Sequence, residues 1–264
     1  VSFGTATTIT FTNGVATTTL KLYKAETATL VATQGALVTS GGDRLSVVVS
    51  PTSLNKFAVA LSTPQTNGQA FTSSNQVTAQ DAYGNTVTSF NASTNNVTVT
   101  TTLTGAITGL SGTNKLTNAG DFVSGVANLT SLGMIFTGTS GSGTFTFTSA
   151  TGGASGTSAT ISISGGTATK LVMTGNVSQT AGSSQTITLT AQDANGNTAT
   201  GYTGVKNITF TGATSSPSPA TNPTVSGVNF GTAINMTFTS GVATANMILF
   251  NAESATVSAT DASI

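Results

Sequence analysis

The sequence predicts an all-β chain folded as consecutive β-sandwich blocks. Three observations predict it: apolar and polar residues alternate in many short runs, turn-forming pairs separate those runs, and long stretches recur. In Ile187-Thr-Leu189-Thr-Ala191-Gln-Asp193 the apolar residues hold the odd positions up to Ala191. That period of two sends one set of side chains to a core and the other to water. Val97-Thr-Val99-Thr, Phe145-Thr-Phe147-Thr, Ile161-Ser-Ile163 and Ile208-Thr-Phe210-Thr repeat the pattern. Thr is the usual outward residue, and its branched Cβ suits a pleated strand. No window of helical length carries apolar residues at spacings of three and four.

Turn chemistry punctuates the runs. Asn13-Gly14 sits between two alternating segments, and Ser124-Gly125 and Ser240-Gly241 occupy the same place later in the chain. Asn-Gly is the favoured pair for a two-residue hairpin with positive φ at both positions.

The recurrences set the organisation. Val1-Ser-Phe3-Gly4-Thr5-Ala6 returns as Val228-Asn-Phe230-Gly231-Thr232-Ala233. Thr10-Phe11-Thr12-Asn13-Gly14-Val15-Ala16-Thr17 returns as Thr237-Phe238-Thr239-Ser240-Gly241-Val242-Ala243-Thr244, and Ala25-Glu26-Thr27-Ala28-Thr29 as Ala252-Glu253-Ser254-Ala255-Thr256. One offset, that from Val1 to Val228, serves all three without a gap. A shorter offset relates Ala79-Gln-Asp81-Ala-Tyr83-Gly84-Asn85-Thr86 to Ala191-Gln-Asp193-Ala-Asn195-Gly196-Asn197-Thr198, and Lys56-Phe57 to Lys170-Leu171. The unit is about the size of one sandwich domain, roughly 100 residues. Residues 1–50 match only the later half of a unit, 51–165 make a whole one, and 166–264 make most of another. Ile264 aligns with Leu37, so nothing in the last block matches the strand around Leu45-Ser-Val47-Val48-Val49. Both ends fall inside a unit, which fits either a window cut from a longer array or ends completed by neighbouring chains through strand addition. The duplicated segments 1–37 and 228–264 are expected to share one shape. The connections at Val49-Ser-Pro51 and Ile163-Ser-Gly-Gly are short, so the object expected is a semi-stiff rod.

Composition bounds the partners. Charged residues make up 5% of the chain, against about 25% in typical domains, with seven basic and seven acidic side chains. That leaves no electrostatic footprint for nucleic acid or an anionic membrane, and no apolar run approaches a membrane span. There is no Cys and no His, which excludes disulfides and thiolate or imidazole metal sites. Catalysis has little to use: no His base, no Cys nucleophile, no close pair of carboxylates, and no nucleophile elbow around a Ser.

The Ala79–Thr86 motif with its copy at Ala191–Thr198, the Gly-Tyr-Thr-Gly run at 201–204 and the Asn-Gly-Val-Ala-Thr hairpin at 13–17 resemble the tandem immunoglobulin-like repeats of prokaryotic cell-surface proteins, the group of invasin and intimin stalks and large adhesins. The resemblance covers essentially the whole chain. It implies immunoglobulin-like sandwich domains in an extended array, at the cell surface or outside the cell. It also implies a non-enzymatic structural role: a filament, sheath, surface layer or stalk, self-associating or packed against further copies. The alternative is an adhesin that binds a surface or glycan through these domains or through others.

Few residues suggest a site. Asp193-Ala-Asn195-Gly-Asn197 matches the start of a calcium loop, but its twelfth position falls on Gly204, which has no ligand to offer. The copy at Asp81 places Tyr83 at the middle ligand position. The competing reading makes both runs turns, with the Asp capping backbone N–H groups and Gly84, Asn85, Gly196 and Asn197 accepting the turn geometry. No cofactor is expected, calcium being the one cation the pattern suggests. Asp81 and Asp193 fall in phase with inward Val77 and Leu189, so they are expected to be buried, with Lys56 and Lys170 as possible charge partners or crosslinking groups. Glu26 and Glu253 hold matched positions and read as turn-stabilising carboxylates. The sequons at Asn91, Asn96, Asn128, Asn176, Asn207 and Asn235 carry no special signal in a chain so rich in Asn, Ser and Thr.

Overall fold

The structure, a computed structural model, describes residues 3–264. Apart from single turns such as Leu129–Leu132, its regular elements are short β-strands. That one-turn helix is capped by the Asn128 side chain, which accepts from the Ser131 N–H, and it ends at Gly133 with φ 80°.

Two separate apolar clusters form. The middle one centres on Phe71, Phe136, Phe145, Phe147, Leu116 and Leu129, all fully buried, and the last on Ile187, Leu189, Ile208, Phe210 and Phe238. In the middle block Lys56–Ala60, Gln76–Gln80 and Val126–Asn128 pair antiparallel, as do Val97–Thr101, Phe145–Ser149 and Ser155–Thr157. The two sets meet at one parallel step, Ser155 beside Lys56. The closing strand Ile161–Ser164 crosses to the other side. There it lies antiparallel to Gly141–Gly143 and parallel to Gln65–Thr66. Its Ile161 and Ile163 are buried. The last block repeats the sandwich with Lys170–Thr174, Ser184–Gln192 and Val242–Ile248 on one face and Ala233–Phe238, Gly204–Thr211 and Ser258–Asp261 on the other.

The alternating runs are strands with their apolar residues inward. Leu171, Met173, Leu249, Val59 and Leu61 are only partly buried, at the margin of the cores. Several core aromatics project from segments with no alternation: Phe90 stacks edge-on against Phe57 and Phe122, with ring centres 5.5 and 4.7 Å apart. Each two-residue hairpin has positive φ at both positions: 51° and 79° at Asn13-Gly14, 48° and 81° at Ser124-Gly125, 48° and 83° at Ser240-Gly241. At Gly241 space adds to conformation, since a Cβ would stand 2.7 Å from the Ala199 carbonyl oxygen. In the last block Tyr202 is buried and its hydroxyl donates to the Asp261 carboxylate, tying down the strand Ser258–Asp261.

The expectation that 1–37 and 228–264 share a shape is overturned. Residues 233–248 form two strands, whereas the matching segment around the Asn13-Gly14 turn forms only the bridge Thr12 to Val15. The cause is non-local. Val242–Ile248 is paired with Ser184–Gln192 and Ala233–Phe238 with Gly204–Thr211, and the first copy has no such strands beside it. Its apolar side chains are left in water: Phe11 is 68% exposed where its counterpart Phe238 is 1% exposed. Only the Thr27–Leu30 and Leu45–Val48 ladder and the small Thr33–Gln34 and Leu37–Val38 hairpin organise this block.

This contrast predicts opposite outcomes for the same substitution. Phe238→Ala should destabilise the last block by about 3–5 kcal/mol, while Phe11→Ala should stay within about 0.5 kcal/mol. Urea unfolding followed by tyrosine fluorescence, with Tyr202 as the reporter of the last block, checks both.

Candidate functional site

The most specific polar constructions in the chain are two matched joints between successive blocks. Each is built on an Asp-x-x-Gly-Asn turn that follows an inward-facing strand, so the strand's alternation carries the Asp to a buried position. Asp81 and Asp193 are both buried. Asp81 Oδ1 accepts the backbone N–H groups of Tyr83 at 2.9 Å and Asn85 at 2.8 Å, and Asp193 Oδ1 accepts those of Asn195 and Asn197, both at 2.9 Å. The turn closes with Asp81 N–H to the Asn85 carbonyl and Asp193 N–H to the Asn197 carbonyl, both 2.9 Å. Gly84 at φ 84° and Gly196 at φ 82° make the left-handed step.

The second carboxylate oxygen faces the chain entering the block. Asp81 Oδ2 accepts Thr52 N–H at 3.0 Å, and Asp193 Oδ2 accepts Gly166 N–H at 2.9 Å. The same oxygens accept the Asn85 and Asn197 side-chain amides, both at 2.9 Å. Each of those amides then reaches the preceding block. Asn85 Nδ2 donates to the Tyr23 carbonyl at 2.7 Å and its Oδ1 accepts Ala25 N–H at 2.8 Å. Asn197 Nδ2 donates to the Gly138 carbonyl at 2.8 Å and its Oδ1 accepts Ser140 N–H at 2.7 Å. In both joints one amide clamps a backbone carbonyl and the N–H two residues further on. The second joint adds Asn67, whose amide donates to Asp193 Oδ2 at 3.3 Å and accepts Gly138 N–H at 3.0 Å. The first adds Tyr23 and Tyr83, with ring centres 4.8 Å apart.

The electrostatics follow. Burial pushes the Asp81 and Asp193 carboxyls up. The bonds donated by the Asn85 and Asn197 side chains and by the surrounding backbone N–H groups outweigh it and hold both below the ordinary carboxylate range. Asp261 shows the same balance: burial raises it, while the Tyr202 hydroxyl, the Ser263 N–H and Lys206 lower it further.

The joints correct the charge-pairing expectation. Lys56 and Lys170 are exposed and do not pair with Asp81 or Asp193. Among the described residues the one ion pair is Lys24 with Glu26. The calcium pattern is occupied differently: donors surround the Asp193 carboxylate, and Asn195 contributes only its backbone N–H to it. No cluster of three acidic side chains able to hold a metal ion occurs among the described residues. Glu26 and Glu253 part company. Glu26 meets Lys24, whereas Glu253 accepts both the N–H and the hydroxyl of Thr214 at 2.7 Å. Asn13, Gly14 and Gly241 lie in hairpins and take no part in the side-chain bonds of the joints. Asn67 was not foreseen, because the matching place in the last block holds Ala181, so no repetition marks it. The amide contacts of Asn85 and Asn197 had a signal: both Asn recur at the same step after a recurring Asp.

The fold class is thus an all-β one of successive sandwich blocks, and no helix among the described residues is long and apolar enough to cross a membrane. No family model and no curated protein matches the chain. Among solved structures it is similar to the Yersinia pseudotuberculosis adhesin InvE at 15% identity and a TM-score of 0.30, covering 78% of this chain and 55% of that one. It is also similar to the D0-D1 domain of intimin, at 12% identity and a TM-score of 0.26, covering 80% and 92%. A β-glucuronidase of Parabacteroides merdae matches at 10% and 0.25, covering 80% of this chain and 24% of that one. Likenesses this loose carry no functional argument; the strand registers carry the fold.

Two outcomes follow. Asn197→Ala removes both clamping bonds to the middle block, so it should widen the range of angles between the blocks while leaving the melting of each core nearly unchanged; residual dipolar couplings measured on the two blocks test this. Because the joint carboxyls lie below their ordinary value in the folded chain, their contribution is complete above about pH 4 and is lost as the pH falls through the folded values. Melting temperature should therefore be level from neutral pH down to about 5 and fall below about 4. Asp193→Asn should reduce that acid-side slope, as read by circular dichroism.

Proposed function

We propose that this chain is a load-bearing spacer of a prokaryotic cell-surface structure, a stalk, sheath, filament or surface layer, in which the sandwich blocks set length and the Asp-x-x-Gly-Asn joints set stiffness. The observation that carries the reading is the joint itself, built twice from different flanking residues with the same set of bonds and nearly the same distances. Duplicated polar geometry between blocks serves orientation, since a reacting or binding centre has no need to recur at every boundary. Composition supports an exposed setting: the outward faces are Thr and Ser rather than charged residues, and the chain lacks Cys and His. Two of the similar structures are named as an adhesin and as intimin, and a spacer of this kind would serve adhesion equally well by carrying a binding tip.

Small-angle scattering tests the reading. The spacer predicts an elongated particle with a narrow spread of lengths, and Asn85→Ala with Asn197→Ala should broaden that spread without unfolding either core. A wild-type chain as flexible as the double variant would overturn it.

A further inference from the structure

The two joints share their bonds but not their chemistry. The chain holds three Asn-Gly pairs, Asn13-Gly14, Asn67-Gly68 and Asn195-Gly196, and the last two lie in the second joint. In such a pair the backbone nitrogen of Gly can approach the Asn side-chain carbonyl carbon, because no Cβ stands in its way. The N–Cγ bond forms and the Cγ–Nδ2 bond breaks. Ammonia leaves with the proton shed by the Gly nitrogen. Water then opens the five-membered imide. Opening at Cγ leaves aspartate, and opening at the former backbone carbonyl leaves isoaspartate, whose main chain runs through Cβ. One water is consumed and one ammonia released, with no enzyme or cofactor.

The structure separates the pairs. Asn67 is buried, and its amide nitrogen donates to the Gly138 carbonyl and to Asp193 Oδ2. Its Oδ1 accepts Gly138 N–H at 3.0 Å, and Gly68 N–H is held by the Phe136 carbonyl at 2.8 Å. Both reacting groups of that pair are tied. Asn195 is free: Ala194, Asn195 and Gly196 are all exposed. Asn195 enters the joint through its backbone N–H alone, at 2.9 Å from Asp193 Oδ1, and its side-chain amide bonds nothing among the described residues. The surroundings are open, since a Cβ on Gly196 would meet no atom within 4 Å. The attacking nitrogen has one bond to release, Gly196 N–H to the Asp193 carbonyl at 3.1 Å, the longest of the turn's backbone-donated bonds.

The first joint cannot react in this way. Tyr83 stands where Asn195 stands, in the same turn and before a glycine of the same φ, 84° against 82°. Asn13-Gly14 is exposed and takes no part in either joint's bonds.

We propose that Asn195 is a self-modifying site: in water it converts to aspartate and isoaspartate, and the conversion loosens the second joint while the first stays as built. Isoaspartate lengthens the main chain by one C–C bond, about 1.5 Å. The extra atom falls between the N–H groups of residues 195 and 197, which now meet the same Asp193 oxygen at 2.9 Å each. A displacement of that size exceeds what a hydrogen bond tolerates, so Asn197 loses its aim at the Gly138 carbonyl and the Ser140 N–H. Either product also sets a second carboxylate two residues from the buried Asp193, a like charge beside a like charge. The inference goes beyond the spacer reading and rests on the joint geometry: two boundaries of equal stiffness when made become unequal with age.

Trypsin places the three pairs in separate peptides, 1–21, 57–115 and 171–206, so each is read on its own. The full chain is held in warm, mildly alkaline buffer and sampled by mass spectrometry. Peptide 171–206 should gain about one dalton at position 195 and split into two isomers, several-fold faster than 57–115 gains mass at position 67. In urea, with the joint undone, the two should convert at similar rates. Residual dipolar couplings should show a wider range of angles between the middle and last blocks in the aged chain than in the fresh one. Asn195→Tyr, which installs the residue of the first joint and keeps Asn13, should hold the fresh range after the same treatment. Conversion at 195 no faster than at 67, a converted chain with the fresh range of angles, or an Asn195→Tyr chain that loosens equally overturns the inference and leaves the spacer standing. A chain already loose when fresh overturns both.

Discussion

The joints depend on a carboxylate saturated with donors. A carboxylate offers about four lone-pair directions. At Asp193 these are taken by three backbone N–H groups and by the amides of Asn197 and Asn67. The consequence is mechanical. Two of the N–H groups belong to the turn and a third to the chain entering the block, so turn and linker share one anchor. The Asn197 amide, held by the same carboxylate, is already aimed when it meets the middle block, and it gives up little side-chain freedom in bonding Gly138 and Ser140. Asp81 and Asn85 repeat the arrangement with a Tyr pair in place of Asn67. Without the carboxylate the Asn would be a mobile surface amide.

Much of this was legible because it is local. The run Ile187 to Gln192 lies within a strand with its apolar residues inward, and each hairpin dipeptide makes the expected left-handed step, because alternation and positive φ are properties of a few adjacent residues. What escaped reading depends on distant partners. Phe90 and Phe122 enter the core from irregular segments, so no period marks them. Asp81 and Asp193 were placed inside correctly by phase, but the expected lysine partners gave way to backbone donors: a buried carboxylate needs hydrogen bonds, and a turn supplies them without burying a second charge. Asn67 is matched by Ala181 in the last block, so repetition could not reveal it.

The duplicated segments show the same division from the other side. Residues around Asn13 and around Ser240 share turn chemistry and make the same kind of turn, yet only the second continues into a ladder. A turn closes on itself, whereas a strand is defined by what lies beside it. Sequence identity between repeats therefore transfers local geometry reliably and burial only when the facing strands come with it.

No lysine or arginine side chain takes part in the joints, whose bonds run between amides, backbone groups and one enclosed carboxylate. Mobile ions screen exchanges between solvent-exposed charges over about 10 Å at moderate ionic strength, and here there is almost nothing for them to screen. A structure held in line this way would keep its rigidity in fresh water and in brine alike, a property that surface networks of lysine and glutamate do not share.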